Sequence, residues 1–301
     1  MHGINPIPKA RRSMMQPEIV ADYQCVTGEG PLWHPVEKRL YWVDIPRGRL
    51  LRYDPAVRSS EVFELGVPIG GFTLQSDGDL LLFRARGAVQ SWRQGALRPV
   101  ITEIPYEADN RFNDVIADPE GRVFCGTMSS PTHPGRLYRL ECDGSLAVLL
   151  DGIGTSNGLG FTPDLKGLYY TDTRYGDIYL FDYARATGAI SNRRVFVHVP
   201  DAQGEGKPDG LTVDAEGCVW SARWGGGCVV RYSPDGREIL RIPFPAHCVS
   251  CITFGGEDYG DLYVTTAGGD RREDQGPGAG ALFVLRPGIR GVPEFVSRVR
   301  V

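Results

Sequence analysis

No stretch of the chain offers the ~18 consecutive apolar residues of a membrane-spanning helix. The first seventeen residues are polar and Pro-containing and lack the 7–15-residue apolar core of a secretory signal. They read as a loose N-terminal extension, 1–17, in which Met14 or Met15 offers an alternative start. The rest, 18–301, reads as one domain. Blocks of like charge are also missing. With 33 basic and 37 acidic residues the net charge is −4, which excludes the basic face of a general nucleic-acid binder. No paired cysteine framework exists either. The seven cysteines are odd in number and irregular in spacing, and most lie in apolar runs such as Val123-Phe124-Cys125. Buried, reduced thiols and a cytoplasmic protein are expected. Cys248 and Cys251 form a Cys-x-x-Cys, but no second ligand pair at matching spacing exists, so no zinc site is expected of it.

Helical periodicity is almost absent as well. In its place, short β-rich runs alternate with Asp-Gly, Glu-Gly and Pro-Asp punctuation. One unit recurs: two apolar strand residues, a turn, then a strand of the Leu-Tyr-x-x-Asp kind. Its six copies are anchored at Pro31, Phe72, Val115, Leu159, Leu211 and Ile252, at spacings of 41, 43, 44, 52 and 41 residues. A period near 40–45 residues with about four strands per copy is that of a β-propeller. The chain therefore reads as all-β, a six-bladed β-propeller with a central metal-binding channel. A β-sandwich also has regular short strands, but it does not predict one unit repeated six times. The longest spacing places an insertion in Val199–Lys207.

The innermost strand of each blade lines the channel. The residues two places before the anchors are Glu29, Gly70, Asn113, Asn157, Asp209 and Ser250. Any one Asn or Asp there is an ordinary turn former. Polar residues at one register in four blades call for another explanation. Two carboxylates and two amides around a narrow axis repel or go unpaired without a cation, and a hard divalent ion with oxygen ligands resolves this. Glycine follows Glu29, Asn157 and Asp209, which permits close backbone approach.

At these residues the sequence resembles the senescence marker protein / gluconolactonase / regucalcin family. The resemblance is carried by Gly28-Glu-Gly-Pro-Leu-Trp, Arg111-Phe-Asn-Asp, Gly126-Thr-Met, Ser156-Asn-Gly-Leu and Pro208-Asp-Gly-Leu-Thr-Val-Asp, and it runs from about Glu18 to Val301. It implies a six-bladed propeller with one divalent ion (calcium, zinc, manganese or iron) that hydrolyses an aldonolactone. By motif it implies Glu29, Asn157 and Asp209 as metal ligands, and Asn113 as a further metal or substrate-side ligand. It also implies Arg111 as a substrate-binding residue and Asp209 as the catalytic base. One departure stands out. Where animal members carry a substrate-contacting glutamate after Gly-Thr-Met, this chain has Ser129-Ser130-Pro131, so the sugar cannot be carried across. The expected partner is a small sugar lactone, with no nucleic acid or membrane, and the chain a monomer or small homo-oligomer.

Two other functions fit the same ring: a metal-dependent phosphotriesterase-like hydrolase and a non-catalytic calcium-binding propeller. Four further signals are read as structural. Gly154-Thr-Ser-Asn-Gly158 matches G-x-S-x-G but lacks the strand–turn–helix context of a nucleophile elbow. His34 aligns with turn positions such as Asp118 and Asp214. His247 lies just before the sixth channel strand, within reach of the rim. Tyr41-Trp-Val-Asp and Tyr169-Tyr-Thr-Asp resemble the repeats of receptor propellers, which are secreted.

Overall fold

The computed structural model describes residues 15–301, so all but the end of the 1–17 extension lies outside the described residues. Six four-stranded antiparallel sheets follow one another along the chain. Their innermost strands are β2 (Gly28–His34), β6 (Ile69–Leu74), β10 (Phe112–Ala117), β14 (Ser156–Phe161), β18 (Lys207–Val213) and β22 (Cys248–Gly255). Each carries one of the six anchors. Five sheets are built from four consecutive strands. The sixth is closed by β1 (Glu18–Asp22), which pairs with β24 (Ala281–Leu285). The two ends of the domain are thereby locked in one sheet, which removes two exposed edges. The fold is the expected six-bladed β-propeller. Among the described residues no helix is long and apolar enough to cross a membrane.

Apolar residues from facing sheets fill the spaces between blades. Tyr41, Leu50, Phe72, Leu82 and Trp92 pack between the first two, and Trp220, Ile252, Phe254 and Phe283 between the last two. Asp44 and Asp172, the last residues of the Leu-Tyr-x-x-Asp strands, accept the backbone N–H of Thr27 (3.1 Å) and Thr155 (3.0 Å) just ahead of the innermost strands. The recurring aspartate thus satisfies a loop donor where the ladder has none.

Every innermost strand breaks register with its neighbour at the same place. The shifts fall between Glu29 and Leu32, Ile69 and Gly71, Phe112 and Val115, Asn157 and Leu159, Pro208 and Leu211, and Val249 and Cys251. Six bulges therefore form a ring around the axis near one end of the channel. The other end is crossed by the C-terminal segment 286–301. Its backbone bonds Leu74 and Ser76 through Ser297, Gly121 through Arg298 and Cys142 through Arg300. Glu294 and Phe295 of this segment join Asp114, Leu159, Leu211 and Cys251 around an interior cavity of about 60 Å3, roomy enough for water.

Candidate metal centre

All six ring residues lie on the innermost strands at the bulges, as the repeat register predicts. Four of them, Glu29, Asn113, Asn157 and Asp209, are buried polar side chains. Ser250 shares the register but donates to the Gly28 carbonyl of the neighbouring blade at 2.5 Å. At Gly70 a side chain would run into the Phe112 carbonyl. These two positions therefore serve contact between blades.

The amides form a chain. Arg111 Nη1 donates to Asn113 Oδ1 (2.6 Å) and to the Phe112 carbonyl (2.9 Å). Asn113 Nδ2 donates to Asn157 Oδ1 (2.8 Å) and to the Ser156 carbonyl (2.7 Å). Asn157 Nδ2 donates to Thr173 Oγ1 (2.7 Å), whose hydroxyl donates to the Pro208 carbonyl beside Asp209. Each amide is oriented by the next, and each amide oxygen keeps a second lone pair. Arg111 lies on the same side as Asn113, as the two-residue spacing requires.

The carboxylates are in the opposite condition. Asp209 is 4 % exposed, and among the described residues its carboxylate has Coulombic neighbours but no hydrogen-bond donor. Glu29, 5 % exposed, accepts among the described residues only the N–H of Gly30 (3.1 Å) and the Cys251 thiol. Burial pushes the Glu29 carboxyl up to about 8, with the Asp114 charge adding to the rise and Arg111 opposing it. Burial likewise raises Asp114 to about 7. Asp209 is driven well above the usual carboxylate range, first by burial and then by the charges of Glu29 and Asp114. Glu29 and Asp209 feel the single guanidinium of Arg111, while Asp114 and the buried Glu294, raised to about 7 by burial and the Asp114 charge, add further acid, so the ionised forms leave more negative charge than Arg111 compensates. A divalent cation fits that deficit and the mixed oxygen donors.

Asp114 and Cys251 were not among the residues expected here. Both sit one place after the ring, where strand alternation turns side chains away. The bulge cancels that alternation. Ligand atoms of Glu29, Asp114 and Cys251 come within 4.8 Å of one another. Opposite Cys251, a side chain on Gly210 would sit 2.3 Å from the sulfur, so glycine is required to admit the thiol. Cys248 takes no part in this cluster and donates its thiol to Gln275 Oε1 instead, at 3.3 Å.

The residues read as structural are so placed. His34 Nδ1 accepts the Glu37 N–H at 3.1 Å, capping a turn. Ser156 opens β14, fully buried, with no helix after it. His247 is exposed ahead of β22. Pro131 is exposed in the segment after Gly126-Thr-Met. There Thr132 and His133 bond the two oxygens of Asp109, at 2.7 and 3.0 Å, two residues before Arg111.

Residues 27–268 match the family described as SMP-30/gluconolactonase/LRE-like region. The chain is 48% identical over 289 residues to a pentonolactonase of Haloferax volcanii, covering 94% of this chain and 98% of that one. It is 34% identical over 275 residues to a 6-deoxy-6-sulfogluconolactonase of Pseudomonas putida, covering 89% and 94%. The crystal structure of a calcium-binding regucalcin from Agrobacterium tumefaciens superposes with a TM-score of 0.85 at 28% identity, over 94% of this chain and 97% of that one.

Proposed function

Because the chain belongs to the SMP-30/gluconolactonase/LRE-like family, we propose that it hydrolyses a sugar lactone to its aldonic acid with a divalent ion held by Glu29, Asn157 and Asp209. The observation that supports this most is the buried Asp209 carboxylate, which has no donor among the described residues and feels the charge of Glu29, together with two amides already oriented by Arg111 and Thr173. Asn113 completes the ring on the substrate side. A divalent ion bound there supplies Lewis acidity to the lactone carbonyl.

The chain's own residues do the rest. Arg111 fixes one guanidinium nitrogen on Asn113 and Phe112 and keeps the others for lactone oxygens and the developing oxyanion. Asp209 takes the proton of the attacking water as its oxygen bonds the carbonyl carbon. Without an ion, burial and the charges of Glu29 and Asp114 raise the proton affinity of this carboxylate. The ring C–O bond then breaks, and the same proton passes to the departing hydroxyl oxygen. The relatives at 48% and 34% identity are named for a pentonolactone and a sulfonated gluconolactone, so five-carbon aldonolactones lead the substrate series.

The test is a panel of pentono-, hexono- and non-sugar lactones, with a phosphotriester as control, run on chelated protein and after return of each metal. Turnover of an aldonolactone that falls on chelation and returns with a metal is expected. Turnover indifferent to chelation refutes the metal reading, and hydrolysis of the phosphotriester alone refutes the lactone reading.

A further inference from the structure

We propose that Cys251 is itself a ligand of the ion at the ring, and that it sets the ion's identity, favouring zinc, iron(II) or cobalt(II) over calcium. This deepens the metal reading above and rests on it.

Three observations carry the assignment. The first is distance. Glu29, Asp114 and Cys251 offer ligand atoms within 4.8 Å of one another. Ligands at roughly 2.0–2.3 Å from one ion lie no more than about 4.6 Å apart, so these side chains need only a small adjustment to share it. The second is the surroundings of the thiol. A buried free cysteine ordinarily fills apolar space. Cys251, 6 % exposed, faces the carboxylates of Glu29, Asp114 and Asp209 instead. Gly210 leaves room for its sulfur that no other residue would. The third is independent of the thiol: the Asp209 carboxylate, 4 % exposed, has no hydrogen-bond donor among the described residues and feels the charges of Glu29 and Asp114.

Ligand chemistry then selects the ion. Calcium takes six to eight oxygens and has little affinity for sulfur. Thiolate favours the borderline and softer ions. As the sulfur–metal bond forms, the thiol proton leaves to solvent and no electrons change hands.

Cobalt(II) titration of metal-stripped protein reads the bond directly. A near-ultraviolet sulfur-to-cobalt charge-transfer band, saturating at one ion per chain, is expected. Bound cobalt without that band overturns the proposal, and no variant is needed to see it. In Cys251→Ser the band should vanish. Zinc affinity, measured by competition with a chelator, should fall at least about tenfold to a hundredfold, while calcium affinity holds or rises. An unchanged zinc-to-calcium preference in that variant, or in Cys251→Ala if the serine folds poorly, overturns the proposal as well. If wild-type protein takes up no divalent ion by calorimetry, the metal reading fails too, an outcome distinct from an ion bound without sulfur.

Discussion

Asp209 and Asp214 lie five residues apart, the first within β18 and the second just past its end, and both are buried. Their surroundings could hardly differ more. Asp214 accepts the backbone N–H groups of Glu216 and Cys218, both at 2.9 Å, the Trp220 indole N–H at 2.8 Å and Arg231 Nε at 2.8 Å. Asp118 repeats the arrangement in the third blade, with Arg122 and the Tyr183 hydroxyl. At Asp209 no donor arrives from the described residues. The same side chain is thus used twice. At the lower turns its charge is spent on holding strands together. At the bulge ring its charge is left available, which is stable only with a partner from outside the chain.

The sharpest way to break this comparison is to remove each aspartate in turn. Asp209→Ala, or Glu29→Ala, should abolish turnover and divalent-ion binding, a loss greater than about a hundredfold. Wild-type ion affinity by calorimetry in either variant would show that the ring carboxylates are not ligands. Asp214→Ala should leave ion binding intact and destabilise the fold by about 1.5–3 kcal/mol, because it removes the acceptor of the buried Trp220 indole and leaves Arg231 with Glu216 alone. Denaturant melts of the two variants side by side make the contrast, and equal destabilisation would erase it.

Arg111 sharpens the comparison from the cationic side. It pairs with an amide rather than a carboxylate. Arg111→Ala should lower kcat/KM about ten- to a hundredfold, the worth of one charged hydrogen bond of roughly 1.5–3 kcal/mol. Ion affinity should hold or rise, since a positive charge near Glu29 and Asp209 is removed. Loss of ion binding would instead make Arg111 a support of the ligand shell.

The smallest effect is on stability against pH. With Glu29 raised from 4.5 to about 8, the folded, metal-stripped protein holds a proton that the unfolded chain releases between those values. Stability of the stripped protein should therefore fall as pH rises through that window. Added ion, which favours the charged carboxylate, should offset the fall. A melting temperature independent of pH over that range in stripped protein would mean that Glu29 is already compensated.

The repeat arithmetic reached the ring because six anchors share one offset, and Glu29, Asn113, Asn157 and Asp209 fall at that offset. Asp114 and Cys251 escaped it for a physical reason. A strand's period of two assigns the residue after a channel residue to the opposite face, and only a bulge reverses that assignment. The register breaks at all six inner strands leave no composition signal, apart from the glycines at 30, 71, 158 and 210. Nor did the sequence mark the pairing of β1 with β24, since closure joins residues some 260 positions apart. The course of 286–301 was equally hidden, because a segment bonded singly to several blades has no periodicity to read.

That last segment has a kinetic meaning. With Ser297, Arg298 and Arg300 bonded to the lower ends of the blades and Glu294 and Phe295 lining the axial cavity, the chain obstructs the end of the passage away from the ring. The freer way out for whatever enters over the ring is the way it came. On the lactonase reading proposed above, an open-chain acid formed at the ring stands in the path of the next lactone, so product should act as a competitive inhibitor, and turnover should slow as acid accumulates.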